Sequence, residues 1–240
     1  MKRALIQTRA ELRLLARNGE QLLLVVVIPL LLLVFFGTVD VLPTGDLGRE
    51  EFLVPGIMAL AVMSTSMVSL GIATGFERSY LVFKRLGATP LRRGELVGAK
   101  IASVAVVEVV QFALIVPVAL AIGWDAGRMS AAVFLAGILL GTAAFAGIGI
   151  LLAGSLRAEI NLAAQNGLYL VLLLLGGMVI PVDSLPGPLA TVAPWLPSGA
   201  LASVLRDASI GAGVDAGTLG CLAAWAVVAP LTAARRFRWW

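Results

Sequence analysis

Glu108 is the one carboxylate set several residues inside an apolar run, with Ser103 and Gln111 near its face. A carboxyl group in hydrocarbon is costly unless it is protonated, paired or wetted. Two readings follow: a residue of a substrate path or gate, or a structural hydrogen bond near the inner leaflet or a subunit contact. Ser64, Thr65, Ser66 and Ser69 form a hydroxyl-rich patch in another apolar run, and Gln165 and Asn166 open a third. Such groups suit the lining of a translocation path, although hydroxyls on a helix also bond to their own backbone.

Other chemistry is excluded by what is missing. The chain has no histidine, which removes the usual general base, the usual zinc ligand and any Ser-His-Asp triad. Its single cysteine, Cys221, rules out an intrachain disulfide and a cysteine-rich metal site, and reads as a small apolar filler. No G-x-x-x-x-G-K segment followed by Ser or Thr is present, so ATP would have to be hydrolysed by another polypeptide. We expect no cofactor on this chain and no nucleic-acid partner. The net charge of +4 is read as topological.

The elements that must position these residues are membrane spans. With 60% hydrophobic and 13% charged residues and a mean hydropathy of +0.99, the 240 residues do not describe a water-soluble globule. A hydrocarbon core about 30 Å thick needs roughly 20 apolar residues per helix. The apolar runs lack the alternation of an outer-membrane barrel. The expectation is an all-α integral membrane protein, a single transmembrane domain of six helices over about 22–39, 52–75, 101–123, 130–153, 162–180 and 216–234. Residues 1–21 carry five basic residues with Leu5, Leu12 and Leu15 on one face, an amphipathic interfacial helix rather than a cleaved leader. Asp40 to Glu51 is a short acidic loop. Residues 181–211 hold Pro181, Pro186, Pro188, Pro194 and Pro197, too many for one spanning helix and too apolar for a solvated loop. Two short helices, from Ser184 or Leu185 to Val192 and from Ser198 to Ala208, are expected to dip into the outer leaflet or pack on the bundle. Gly137 and Gly141, continued by Ala144 and Gly147, form a small-residue packing face.

The charge-dense stretch Phe76 to Lys100 separates two spans. Phe76, Tyr80, Phe83 and Leu86 fall on one helical stripe while Glu77, Arg78, Lys84 and Arg85 point away. The stripe predicts a short amphipathic helix lying flat. Gly87 would end it in the left-handed conformation, and Thr89 with Pro90 would cap and start the next helix. With the amino terminus inside, fifteen of the eighteen Lys and Arg residues lie on the cytoplasmic side, leaving Arg49, Arg128 and Arg206 outside. That asymmetry places both termini and the 76–100 loop in the cytoplasm. Phe237, Trp239 and Trp240 beside the terminal arginines are expected to anchor at the interface.

Glu77-Arg78, Lys84-Arg85-Leu86, Thr89-Pro90 and Gly98-Ala99-Lys100 resemble the cytoplasmic loop of type-2 ABC (ABC-2) transporter permeases. The similarity extends over nearly the whole chain: an amphipathic elbow helix, six spans, and a proline-rich external hairpin opened by Gly177 to Pro181. The resemblance implies a permease of an exporter in the cytoplasmic membrane, with drug or antibiotic efflux permeases most similar and lipid or polysaccharide export open. It implies a dimer with itself or a paralogue, and a separate ATP-binding subunit carrying ATP and Mg. A coupling helix at Glu77, Arg78, Tyr80, Phe83, Leu86, Gly87, Thr89 and Pro90 would seat in that subunit, with Phe83 and Leu86 as apolar anchors. A substrate path through Ser64, Thr65, Ser66, Ser69, Glu108, Gln111 and Asn166 completes the reading. Leu81 departs from the family pattern, where glycine is frequent. An ion-coupled transporter leaning on Glu108 and a non-transporting membrane scaffold are the rival classes.

Overall fold

The computed structural model describes residues 2–39 and 47–237, with the side chains of Lys2 and of residues 20–22 left aside. The middle of the acidic loop and the terminal residues Arg238, Trp239 and Trp240 therefore lie outside the described residues. Every described span is helical: α1 (Lys2–Arg17) and α2 (Gly19–Thr38) meet at Asn18, and α3 (Arg49–Met63) continues through a π-helical segment, Ser64–Ser69, into α4 (Leu70–Ser79). A short α5 (Val82–Gly87) precedes the long α6 (Arg93–Ala121), then α7 (Ala131–Ser155) and α8 (Ala158–Leu175). The proline-rich segment forms α9 (Gly187–Val192) and α10 (Pro197–Ser209), and α11 (Ala216–Arg236) closes the bundle.

Among the described residues, five helices are long and apolar enough to cross a membrane: Arg49–Ser79, Arg93–Ala121, Ala131–Ser155, Ala158–Leu175 and Ala216–Arg236. The pair Gly187–Trp195 and Pro197–Ser209, bent by 77°, would add a sixth if it formed one broken span, and Leu23–Thr38 is a shorter apolar helix. The ends of the spans extend further than hydropathy alone suggests. The third begins at Arg93, not near Ile101, so only Tyr80 to Arg92 stands outside the long helices of the 76–100 loop. The fifth begins at Ala158, directly after the break at Leu156 and Arg157.

The span Arg49–Ser79 is the axis of the bundle. Every residue from Phe52 to Met63 is buried, which fits a helix apolar on all sides rather than along one stripe. Small residues let its neighbours approach closely. A Cβ on Gly141 would lie 2.8 Å from the Leu201 methyls of α10, one on Gly137 would meet Val204 and Leu205, and one on Gly147 would lie 2.6 Å from the Ala229 carbonyl carbon of α11. The Gly137–Gly141 step is thus a packing face for α10, and Gly147 one for α11. Asp215 starts α11 by accepting the Thr218 amide at 2.8 Å and hydroxyl at 3.0 Å, bonds that hold its carboxyl below the usual carboxylate range.

Packing at Gly147 gives a direct test. Gly147→Ala forces a methyl into helix backbone and should cost about 1–3 kcal/mol, read as a lowered melting temperature of the purified chain in detergent. Gly220→Ala, which meets nothing within 4 Å, is the control. Equal melting of the two variants would refute the close α7–α11 contact.

Candidate functional site

The element at the 76–100 loop is built from the end of α4, α5 and the start of α6. α4 closes where the Tyr80 amide donates to the Phe76 carbonyl at 2.9 Å and the Leu81 amide to the Arg78 carbonyl at 3.0 Å. Leu81 then adopts φ +59°, the left-handed conformation expected at Gly87, and it is the one non-glycine residue with positive φ among the described residues. The cost for a residue with a Cβ is roughly 1–2 kcal/mol. The reason for the break lies two residues on. Phe83 is fully buried, edge-on to Phe237 with centroids 4.9 Å apart and 5.6 Å from the Lys100 ammonium. Tyr80 stays 72% exposed. One continuous stripe could not place both, so the predicted Phe76–Leu86 helix is corrected to two helices about Leu81.

Three further expectations are revised. Gly87 ends α5 without positive φ. Thr89 does not cap α6: its hydroxyl donates to the Leu86 carbonyl at 2.6 Å and accepts the Leu91 amide at 3.4 Å, closing the turn that Pro90 follows. α6 starts at Arg93, where the Arg92 amide donates to the Glu95 carboxylate at 2.8 Å. Phe83 is packed inside the chain rather than presented outward. Tyr80, Gly87, Thr89 and Pro90 are exposed and Leu86 is half-buried, and the Arg3 guanidinium donates to the Pro90 carbonyl at 2.8 Å.

Glu77 and Arg78 also turn inward. The Lys100 ammonium is 2.7 Å from Glu77 and 3.0 Å from Glu11 and 1% exposed, so one cation joins α1, α4 and α6. Arg78 donates to the Ala153 and Leu156 carbonyls, both at 3.2 Å, and so caps the end of α7. Neither role was visible in helical periodicity. A signal was present, since Glu11 is the one acid among the basic residues of α1.

The residues expected along a path are divided by the fold. Ser64, Ser69 and Asn166 line a largely apolar lateral cavity of ≈ 400 Å³ between α2, the π-helical segment and α8, with Ile28 and Tyr169. Thr65 donates to Gln111 at 3.1 Å, and Gln111 donates to the Val25 carbonyl at 2.7 Å, tying the axis to α6 and α2. Ser64 and Ser66 bond back to Ala61 and Val62, at 3.1 and 2.5 Å. Asn166 donates to Leu162 of its own helix at 3.0 Å. The π-helical segment widens the turn so that the Leu70 amide reaches Thr65. Glu108 lies elsewhere, buried beside Thr142, whose hydroxyl donates to its Oε2 at 2.5 Å while Oε1 has no partner among the described residues. Asn161 and Gln165, buried against the glycines of α4 and α7, donate to the Gly71 and Gly149 carbonyls, both at 2.9 Å.

A helical bundle with polar groups turned inward and spans of this length is a multi-pass membrane protein. The profile of the ABC-2 type transporter family matches residues 4–208, and the chain belongs to that family. It is 27% identical over 197 residues to "Putative transport permease YvfS" of Bacillus subtilis (strain 168), covering 80% of this chain and 79% of the relative. Family and relative together support a transporter permease rather than an enzyme.

Lys100 offers a stability test of the element. Lys100→Met leaves two carboxylates facing each other in a largely buried site, and should cost about 3–5 kcal/mol. The triple change Glu11→Gln, Glu77→Gln, Lys100→Met should melt well above the single variant. A single variant that melts with the parent chain would show that the clamp contributes nothing.

Proposed function

We propose that the chain is the membrane subunit of an ATP-driven exporter in the cytoplasmic membrane, working as a dimer with itself or a paralogue. ATP and Mg belong to a separate ATP-binding subunit. The exposed turn from Tyr80 to Pro90 is the surface that this subunit pushes. The observation that carries the reading is mechanical: the turn is tied to the bundle from within and from its flanks. Within it Phe83 is sunk against Phe237, and the α4 and α6 segments on either side are joined where Lys100 binds Glu77 and Glu11. A displacement of the turn is therefore delivered to α1, α4 and α6 together, where a loosely attached loop would dissipate it.

The contact residues of the proposed surface are Tyr80, Leu86, Gly87, Thr89 and Pro90. Glu77, Arg78 and Phe83 hold the element in place from inside. The substrate class proposed is an amphiphile, a drug, antibiotic or lipid-like molecule, entering from the side through the lateral cavity at Ser64, Ser69 and Asn166. Its lining is largely apolar with a few hydroxyl and amide groups, the composition expected for such a ligand.

Co-expression with a candidate ATP-binding-cassette subunit tests the reading. Tyr80→Ala combined with Leu86→Asp should weaken co-purification at least about tenfold, the loss expected for removing an exposed anchor and adding a buried charge at the contact. The melting temperature of the isolated permease should stay within a few degrees of the parent. Full retention of the ATPase by this variant would remove the turn as the docking surface. Transport by the permease without any ATPase would remove the proposal as a whole.

A further inference from the structure

Where α4, α7 and α11 end and α6 begins, four guanidinium groups surround one opening. Arg78, Arg93, Arg235 and Arg236, with Gly154 and Ser155, line a cavity of ≈ 660 Å³. No acid lines it. Glu159 lines an adjoining cavity across Arg78 and Ser155, Glu77 is held by Lys100, and Glu95 faces the Arg92 amide. Arg78 is engaged with the α7 carbonyls, whereas Arg93, Arg235 and Arg236 make no hydrogen bond or ion pair among the described residues. Three helix C-termini point their carbonyls toward this end, which disfavours an anion. One of the three, α7, is answered by Arg78, and three full positive charges outweigh the partial charges left on the others.

We propose that this cavity binds the phosphate of an anionic lipid from the inner leaflet. The lipid source is favoured over a dissolved phosphate by what adjoins the arginines. Arg235 continues the face of α11 that carries Val228 and Leu231, two turns and one turn below it, and these are 57% and 51% exposed on a helix whose length and hydropathy suit a membrane span. An acyl chain on that stripe brings its headgroup to the arginines. Planar guanidinium groups also match phosphate oxygens in a bidentate way that lysine does not. The site is distinct from the lateral cavity and does not depend on which substrate is moved.

The test uses the full chain in neutral detergent, with phosphatidylglycerol, phosphatidylcholine and soluble glycerophosphoglycerol titrated separately and bound species counted by native mass spectrometry. Phosphatidylglycerol should bind and phosphatidylcholine should not. Arg235→Gln with Arg236→Gln should weaken phosphatidylglycerol roughly 10- to 30-fold, as expected for two cations at a lipid headgroup. Arg93→Gln, on a separate helix, should weaken it by several fold. Arg9→Gln with Arg13→Gln removes the same charge from exposed positions on α1 and should leave binding within about twofold of the parent. Equal loss in the α1 variant, or equal binding of the two lipids, would overturn the site. Binding of glycerophosphoglycerol as tight as that of the whole lipid would overturn the lipid as its source.

Discussion

A lysine ammonium with almost no access to solvent determines how one end of this bundle, where α1, α4 and α6 meet, is organised. Lys100 sits between two carboxylates contributed by helices 89 and 23 residues away along the chain. Burying a lone ammonium costs several kcal/mol, so the position is tolerable only while both acids stay in place. That requirement fixes α1 on α6 and brings the end of α4 to the same point. It also explains why Phe83 turns inward, since its ring supplies an apolar wall close to the cation. The left-handed Leu81 is then the conformational cost of sending Phe83 in and leaving Tyr80 out.

The same economy of polar groups governs the membrane interior. Without water, every buried amide and hydroxyl needs a protein partner. Asn161 and Gln165 of α8 find theirs in the carbonyls of Gly71 and Gly149, and Gly71 is glycine because the Gln165 amide needs the space. A Cβ on Gly71 would fall within 2.6 Å of the Gln165 amide carbon. Thr65 and Gln111 serve the axis in a similar way. The π-helical segment lies at this level, where the chain departs from regular α-helix and three helices exchange side-chain bonds. Its sequence, STSMVS, shows hydroxyls but no glycine or proline to mark the irregularity.

Hydropathy made the bundle legible, because apolar spans and a proline-broken segment between two of them are properties of residue type along the chain. The two short helices of that segment and the packing role of Gly137 and Gly141 were legible for the same reason. What periodicity could not supply was long-range pairing. Glu77 and Arg78 look like a solvated charged face in a helical projection, yet one is matched by Lys100 and the other by the open end of α7. Gly87 was the natural residue for a left-handed turn, but tertiary demand placed it at Leu81 instead. Leu81 was conspicuous as a departure from the family pattern, and the structure gives that departure a conformational meaning: glycine there would adopt the same φ without strain.

These pairings also separate two kinds of basic residue that composition treats alike. Lys100 and Arg78 are consumed inside the fold, where their charges are answered by carboxylates and by helix-end carbonyls. Arg93, Arg235 and Arg236 meet no such partner among the described residues and converge on one opening. The positive-inside bias accounts for their side of the membrane but not for their convergence, because topology is served equally well by cations spread along a loop. Convergence raises mutual repulsion among like charges. A fold that accepts that repulsion at the junction of four helix ends gains most when an anion occupies the space between them.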